Sequence, residues 1–342
     1  MQYARLGRSG LEVSRLCLGG MSFGIPERGG HPWTLAEDAS SEIIKHALEL
    51  GVNFFDTANV YSDGTSEQIV GRALAKYARR EDVVISAKVG LPTRAGPNSR
   101  GLSRKVIFSE LSASLERLGT DYIDLYQIHR WDDFTPIEET LGTLNDLIAM
   151  GKIRYIGASS MAAWQFSRAI SLSTARQWNP FLSMQNHYNL LYREEEREMI
   201  PLCTDQLVSV LPWSPLARGL LARPWGEKDA RSDGDPYRDT LYTSADRTVV
   251  EEVTRVASSC GVPMAQVAFA WLVRRPGVTA PVVGVTELRQ LDDAVAALSL
   301  ELPESALSEL DLAYSPHPTA GIEVLPSYHQ RGSLLADDRV DQ

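Results

Sequence analysis

The chain has 342 residues, of which 44% are hydrophobic and 23% are charged, and its formal net charge is −10. This composition is typical of a globular protein and excludes a disordered or fibrous one. Because an acidic chain offers no basic field to phosphates, nucleic acid and anionic membranes are disfavoured as partners. We therefore expect a small-molecule ligand, while the sequence leaves the oligomeric state open.

The sequence indicates neither a targeting segment nor a metal site. Residues 1–15 carry charges throughout, and no apolar run reaches the roughly 18 residues of a membrane span. Cys17, Cys203 and Cys260 are far apart, and the six histidines form no HxH or HExxH pair. We predict a cytoplasmic protein with reduced, buried cysteines and no metal ion.

Short apolar runs alternate with helical stretches along the chain, in the pattern of strand and helix units around a parallel sheet. Eight strands close a barrel, so we predict an α/β fold of the (β/α)8 TIM-barrel type. It would form a single domain over residues 1–342, with the barrel at about 14–300. The predicted strands are 15–19, 53–57, 83–89, 123–129, 153–159, 182–187, 207–213 and 280–284. The predicted helices are 40–51, 66–78, 104–119, 136–151, 161–171, 193–203, 247–261, 263–276 and 288–298, several of them ending at a glycine.

Three segments lie outside this alternation. Residues 3–13 read as a β-hairpin turning at Ser9-Gly10, which could close the N-terminal end of the barrel. Residues 217–247 form a long Gly-, Pro-, Arg- and Asp-rich loop at the C-terminal face, for instance a lid. The tail, 303–342, begins as a helix and is expected to end as a mobile terminus.

Four polar residues at or just after strand ends form the candidate active site, because barrel active sites gather there. They are Asp56, Tyr61, Lys88 and His129. Taken singly, each has an ordinary interpretation: a turn cap, a packed ring, a lysine that reaches solvent and a satisfied core histidine. Ser66, further along the same loop, is expected to cap the next helix.

Together the four residues form an acid–base device. A lysine ammonium favours the phenolate of a nearby tyrosine, and an aspartate keeps that lysine charged and fixed. A neutral histidine can orient a carbonyl oxygen towards the phenol. The set can protonate an oxygen while a nicotinamide cofactor delivers hydride to carbon, since no side chain donates hydride.

Later strand ends offer a binding surface for such a cofactor. Ser159, Ser160 and Gln185 carry groups that suit a carboxamide, and Trp213 can stack on a nicotinamide ring. Residues 214–219 supply backbone amides and a basic side chain near a pyrophosphate. Since no GxGxxG follows a strand, a Rossmann domain is not the cofactor-binding unit.

These motifs resemble those of the aldo-keto reductases from about Tyr3 to about Gly321. The matching stretches include LGRSGLEVSRLCLGGMSFG, NFFDTANVYSDGTSE, VVISAKVG, LGTDYIDLYQIHRWD, GKIRYIGASS, SMQNHYNLL, LPWSPLARGLL and APVVGVTELRQLDDAVAAL. YSDG and QIHRWD look closest to a bacterial branch of the family. The resemblance implies a barrel fold, the catalytic residues named above and NADP(H) as the usual cofactor, with NAD(H) as the alternative.

The resemblance also implies which residues contact the cofactor. Trp213 stands where the family more often has tyrosine or phenylalanine, and Ala294 stands where many relatives have asparagine. Within 282–293 the chain lacks a Lys or Arg at the position where many relatives place one near a 2′-phosphate, and Arg289 or Arg218 would substitute for it. The implied cofactor contacts are Gly20, Met21, Asp56, Ser159, Ser160, Gln185, Trp213, Ser214, Pro215, Leu216, Arg218, Gly219, Gly284, Thr286, Gln290 and Asp293.

The leading hypothesis is a reductase of a small-molecule aldehyde, ketone or keto-sugar, with Tyr61 as the proton donor. One alternative is a cofactor-binding regulatory subunit resembling potassium-channel β-subunits, which share the fold and the four catalytic residues. A second is a lyase that uses Lys88 as a Schiff-base nucleophile. Phe23, Trp33 and Trp131 are expected to wall the substrate pocket.

Overall fold

Eight parallel strands curl around a common axis in the computed structural model, which describes residues 1–28, 33–227, 235 and 237–322. All eight predicted strands are confirmed, although several are shorter than expected. They are β3 Cys17–Gly19, β4 Phe54–Asp56, β5 Val84–Val89, β6 Ile123–Ile128, β7 Ile153–Ser159, β8 Phe181–Gln185, β9 Ser209–Val210 and β10 Val282–Val283. Each strand from β3 to β8 pairs in parallel with the next one along the chain.

The sheet closes on itself between its last two strands. β10 pairs with β3, where Val282 lies opposite Cys17. On its other side the Val282 amide donates a hydrogen bond of 2.8 Å to the carbonyl of Pro212, just after β9. Closure brings the C-terminal ends of all eight strands to one rim, where the predicted catalytic residues stand.

The hairpin predicted before the barrel is also present. Its strands, β1 Tyr3–Arg5 and β2 Glu12–Ser14, pair antiparallel. Leu6 and Val13 are fully buried in a cluster with inward-facing residues of the barrel strands. Gly7 has a φ of +54°, and a Cβ there would lie 2.6 Å from the Leu182 carbonyl oxygen. This close approach needs glycine, and it presses the hairpin against the barrel as predicted.

Helices occupy the segments between the strands. The first begins three residues earlier than predicted, at Glu37. The predicted helix 193–203 divides into a 3-10 turn, Glu194–Glu196, and a helix restarting at Met199. The restart leaves Pro201 in a first turn, where its missing amide is tolerated. The helices are α1 Glu37–Glu49, α2 Thr65–Tyr77, α3 Arg104–Leu118, α4 Ile137–Ala149, α5 Ala163–Ala175, α6 Met199–Asp205, α7 Arg238–Leu241, α8 Arg247–Cys260, α9 Met264–Val273, α10 Leu288–Ala297 and α11 Glu304–Leu312.

The structure confirms two predicted C-terminal helix caps and contradicts one predicted N-terminal cap. Gly119 and Gly261 are left-handed caps, with φ of 64° and 66°. The expected Ser66 cap is wrong, because α2 begins one residue earlier and its cap position is Gly64. The Ser66 hydroxyl instead donates to the carbonyl of Gly20 over 2.7 Å, which ties α2 to the end of β3.

The long loop and the tail are partly described. Within 217–247 the structure has a 3-10 segment, Ala217–Ala222, the short α7 and a 3-10 turn, Ser244–Asp246. Residues 228–234 and 236 lie outside the described residues, as do 323–342 of the tail, whose predicted opening helix is confirmed as α11. That the whole chain forms one domain stays a prediction.

The cysteines form no disulfide. Burial raises the pKa of Cys203 to about 12 and raises that of Cys17 well above its usual range. Cys260, at the end of α8, is only half-buried, so the expectation of a buried thiol is wrong there.

Of the helices in the described part of the chain, none is singly long and apolar enough to cross a membrane. Ser244–Cys260 and Met264–Val273 reach that length and composition only as a pair bent by 101°.

Candidate active site

The structure brings Asp56, Lys88 and Tyr61 into direct contact. The Lys88 side chain is 0% exposed, and its ammonium donates to the Asp56 carboxylate and, over 3.1 Å, to the Tyr61 phenolic oxygen. Burial acts to lower the pKa of Lys88, but the Asp56 carboxylate and Tyr61 outweigh it and leave that pKa raised. The Asp56 carboxylate and Tyr61 therefore favour the charged ammonium of Lys88 beside the phenol.

Asp56 is held by more partners than the sequence suggested. Its Oδ1 accepts from the Ser86 hydroxyl at 2.9 Å, from Gln127 Nε2 at 3.2 Å and from Gln185 Nε2 at 3.0 Å. Sequence reasoning missed Ser86 and Gln127 as members of the site. Ser86 lies two positions before Lys88, and Gln127 lies two positions before His129. Because alternate residues of a strand share a face, this spacing was the signal that both side chains point into the barrel.

An unusual loop carries Tyr61 back over the barrel. Ser62 and Asp63 have left-handed backbones, with φ of 47° and 52°, and Gly64 follows at 84°. Non-glycine residues in this region cost free energy and persist where surrounding contacts hold them. One such contact is made by Asn59, whose amide donates to Glu110 Oε2 over 2.8 Å. The loop is thus fixed from behind by α3.

His129 stands next to Tyr61 as a neutral ring. Their ring centroids are 6.0 Å apart in an edge arrangement. Burial, with smaller effects of Arg130 and Lys88, holds the pKa of His129 well below its usual range. Its Nδ1 is buried without a hydrogen-bond partner among the described residues. The ring can therefore act as a neutral hydrogen-bonding group and not as an acid near neutral pH.

One large cavity of about 440 Å³ opens at this rim. Of the predicted catalytic and cofactor residues, Gly20, Lys88 and Ser160 do not line it themselves. Ser22, Leu91, Arg130, Tyr237 and Glu287 line it without having been predicted. The predicted residues that line it are Met21, Asp56, Tyr61, His129, Ser159, Gln185, Trp213, Ser214, Pro215, Leu216, Arg218, Gly219, Gly284, Thr286, Gln290 and Asp293.

Trp213 occupies a braced position on the cavity wall. One face of its indole stacks on His187, with centroids 4.3 Å apart and planes 9° from parallel. Its Nε1 donates to the Ser160 hydroxyl over 3.0 Å, and Ser160 in turn lies 3.0 Å from the Ser159 hydroxyl. Ser160 therefore positions Ser159 and Trp213 from behind the cavity wall.

The loop after Trp213 has a strained backbone. Ser214, Ala217 and Arg218 all have left-handed φ values of 47° to 54°, and Gly219 follows at 98°. Such clustering of strained backbone is typical of ligand-binding segments. A concave run of this kind beside a cavity fits an anion such as a pyrophosphate.

The two candidate cations for a 2′-phosphate differ in availability. Arg218 forms a buried, two-bond ion pair with Asp235, at 2.6 and 2.9 Å. Arg289 is 82% exposed at the cavity edge and lies 3.8 Å from Asp293. The side-chain oxygen of Gln290 accepts a hydrogen bond of 2.8 Å from the Thr286 amide, which fixes the segment before α10. Arg289 is the better placed of the two.

The three residues predicted to wall the substrate pocket, Phe23, Trp33 and Trp131, do not line this cavity. Phe23 is 1% exposed, packs in the main hydrophobic core and does not line the cavity, which is not the place expected of a pocket wall. Its backbone forms a parallel bridge with Leu35. Trp131 is half-buried against Trp164, with centroids 6.2 Å apart, and is not part of the cavity wall. Trp33 is half-buried beside residues 29–32, which lie outside the described residues.

Comparisons with known proteins point to one family. A family model described as "Aldo/keto reductase family" matches residues 15–315. The chain is 44% identical to versiconal hemiacetal acetate reductase of Aspergillus parasiticus, over 93% of this chain and 99% of the relative. It is 40% identical to an aldo-keto reductase of Fusarium vanettenii (94% and 93% covered) and 42% identical to one of Alternaria alternata (93% and 93%). These relatives are fungal and give no support to the expected bacterial branch.

Proposed function

Because the chain belongs to the aldo-keto reductase family and is a carbonyl-reducing oxidoreductase, we propose that it reduces an aldehyde or ketone with NADPH. The observation that carries this proposal is the contact between the buried Lys88 ammonium and the Tyr61 phenol, at a cavity that also holds Ser159, Gln185 and Trp213. Family members generally use nicotinamide cofactors, and the residues present fit one.

The fit rests on the groups along the cavity wall. Ser159 and the Gln185 side chain would hold the carboxamide, and the free face of Trp213 would lie against the ring. The strained segment Ser214–Gly219 would hold the pyrophosphate, and Thr286 and Arg289 would hold the adenosine phosphate. When bound, this cofactor supplies hydride to the carbonyl carbon.

The chain itself supplies the proton and the positioning. Tyr61 donates its phenolic proton to the carbonyl oxygen, and the Lys88 ammonium, 3.1 Å away, stabilises the phenolate that remains. Asp56 holds the ammonium in place through its carboxylate. The neutral His129 ring beside Tyr61 orients the carbonyl oxygen towards the phenol.

The state of Lys88 weighs against the lyase alternative. A Schiff-base lysine must present a neutral amine to the substrate. Lys88 is fully buried, does not line the cavity and has a raised pKa, because Asp56 and Tyr61 outweigh the effect of burial. The cytoplasmic location, the small-molecule carbonyl partner and the regulatory-subunit alternative stay predictions.

The proposal is tested by following both reactants. Purified protein is mixed with NADPH, or with NADH, and a panel of aldehydes, ketones and keto-sugars. We expect NADPH oxidation to match alcohol formation one to one, with deuterium passing from [4-²H]NADPH to the former carbonyl carbon. Tight NADPH binding with no turnover of any substrate in the panel would favour the regulatory subunit instead.

A further inference from the structure

Arg130 is a cation in the active-site wall that the acid–base chemistry leaves without a role. It directly follows His129 at the end of β6, is half-buried and lines the same cavity as Tyr61. Its Nη1 donates to the His129 carbonyl over 2.8 Å, which fixes the guanidinium at the rim. An arginine carries five N–H donors, so most of its donors are left for a ligand.

Among the described residues, none neutralises the charge of Arg130. No described carboxylate forms an ion pair with it, and its bond to the His129 carbonyl is to a neutral group. Two other arginines that line the cavity lie near carboxylates, since Arg218 forms an ion pair with Asp235 and Arg289 lies 3.8 Å from Asp293. A half-buried guanidinium without a carboxylate is costly unless a ligand supplies the anion.

The position of Arg130 assigns that anion to the substrate and not to the cofactor. The groups that fit the cofactor follow β7, β8, β9 and β10, on one side of the barrel. Arg130 follows β6, which pairs with β5, the strand of Lys88, and with β7, the strand of Ser159. The segments that fit the anionic parts of the cofactor follow β9 and β10, at least three strands away from β6 in the sheet, so the anion beside Arg130 belongs to the substrate. Its charge is also close enough to His129 to contribute, after burial, to lowering the pKa of that ring.

We propose that the substrate of this site is a carbonyl compound that carries a carboxylate, and that the Arg130 guanidinium binds this carboxylate while Tyr61 protonates the carbonyl. The inference rests on the proposed reductase function. Leu91 and Tyr237 give the same cavity apolar and aromatic walls, which suit a hydrophobic body between the two polar groups. Arginine binds carboxylates through two parallel N–H bonds, so the contact selects for charge and orientation together.

The test compares acids with their own neutral esters. The 2-, 3- and 4-formylbenzoates and their methyl esters are assayed with NADPH in the wild type, Arg130→Met, Arg130→Lys and the control Arg94→Met. Arg94 is an exposed arginine in the loop after β5 and does not line the cavity. The control therefore removes one positive charge near this face without touching the cavity wall.

For at least one isomer, the wild type should show a kcat/KM for the acid about 10- to 100-fold above that for its ester. Arg130→Met should bring this ratio to about one, mainly through KM, with Arg130→Lys intermediate and Arg94→Met unchanged. Terephthalate, which cannot be reduced, should bind the NADPH complex of the wild type and not that of Arg130→Met.

Two outcomes overturn the inference. One is equal use of acid and ester by the wild type for all three isomers, and the other is an unchanged acid-to-ester ratio in Arg130→Met, with or without an equal loss on both substrates. Each of these leaves the esters reduced, so the reductase function stands. Failure of that function is a different result, in which no compound of either series oxidises NADPH.

Discussion

The Lys88 ammonium lies 3.1 Å from the phenolic oxygen of Tyr61 and donates to it, while the Asp56 carboxylate holds the same ammonium from the other side. All three groups stand at the rim where β4 and β5 end. Because Lys88 is fully buried, solvent does not screen its charge, and the protein alone sets how strongly the phenolate is stabilised.

Removing Lys88 alone should destabilise the fold as well as slow the reaction. Lys88→Met leaves the Asp56 carboxylate buried without its counter-charge, which typically costs about 3–5 kcal/mol in the free energy of unfolding. The double variant Lys88→Met/Asp56→Asn should recover part of that loss, since neither charge remains. Denaturant titrations measure the free energy of unfolding of the single and the double variant, with Lys105→Met at an exposed position as the control. If Lys88→Met lowered the free energy of unfolding no more than the control does, the account would be contradicted.

Two glycine-to-alanine substitutions should change the free energy of unfolding in opposite directions. Gly64 has a φ of +84°, and a Cβ there would lie 2.7 Å from Arg117, so Gly64→Ala should lower the free energy of unfolding by about 1–2 kcal/mol. Gly142 lies inside α4, where a Cβ would meet Trp178 at an ordinary 3.6 Å. Gly142→Ala should raise stability by about 0.5–1 kcal/mol. Equal effects of the two changes would argue against a special backbone at Gly64.

The contact of His317 with Asp246 should make stability depend on pH. The hydrogen bond to Asp246 raises the pKa of His317 above its usual value, and the ring is 9% exposed. The folded state then binds the proton more tightly, so this stabilisation is complete below the ordinary pKa of about 6.5 and is lost as pH rises through the raised value.

The variant His317→Gln should therefore lose more thermal stability at pH 6 than at pH 9, by about 2 °C in Tm. The matched control is His46→Gln, which removes a more exposed histidine at the same 2.7 Å from an aspartate. Solvent screening should make its effect smaller. A loss for His317→Gln that is the same at both pH values contradicts the assignment.

Arg289 should distinguish the two nicotinamide cofactors. It is the exposed cation at the cavity edge, and a phosphate would gain a charge-assisted bond from it. Arg289→Ala should weaken NADPH binding by about tenfold and leave NADH binding unchanged, as measured by cofactor fluorescence. Arg247→Ala, on the exposed face of α8 beside Glu251, is the control. Equal weakening of both cofactors would show that Arg289 does not recognise the phosphate.

The barrel was predictable because its signals are local. Each strand is a short apolar run, and the C-terminal caps at Gly119 and Gly261 follow from residue type alone. The grouping of Asp56, Tyr61, Lys88 and His129 was predictable because strand ends meet at one rim. The pairing of Arg218 with Asp235 was not, since it joins residues across a long loop whose path no pattern fixes. Nor does any sequence feature distinguish a buried loop aromatic such as Phe23 from one that walls a pocket.

The proton-donor role of Tyr61 is tested most directly by Tyr61→Phe, with Tyr77→Phe as control. Turnover of the best carbonyl substrate and the Kd for NADPH are measured on the same preparations. The account predicts a fall in kcat of at least about 10²-fold for Tyr61→Phe, because the phenolic proton is lost, with the NADPH Kd unchanged within about twofold. Tyr61→Phe turning over at the wild-type rate would contradict it.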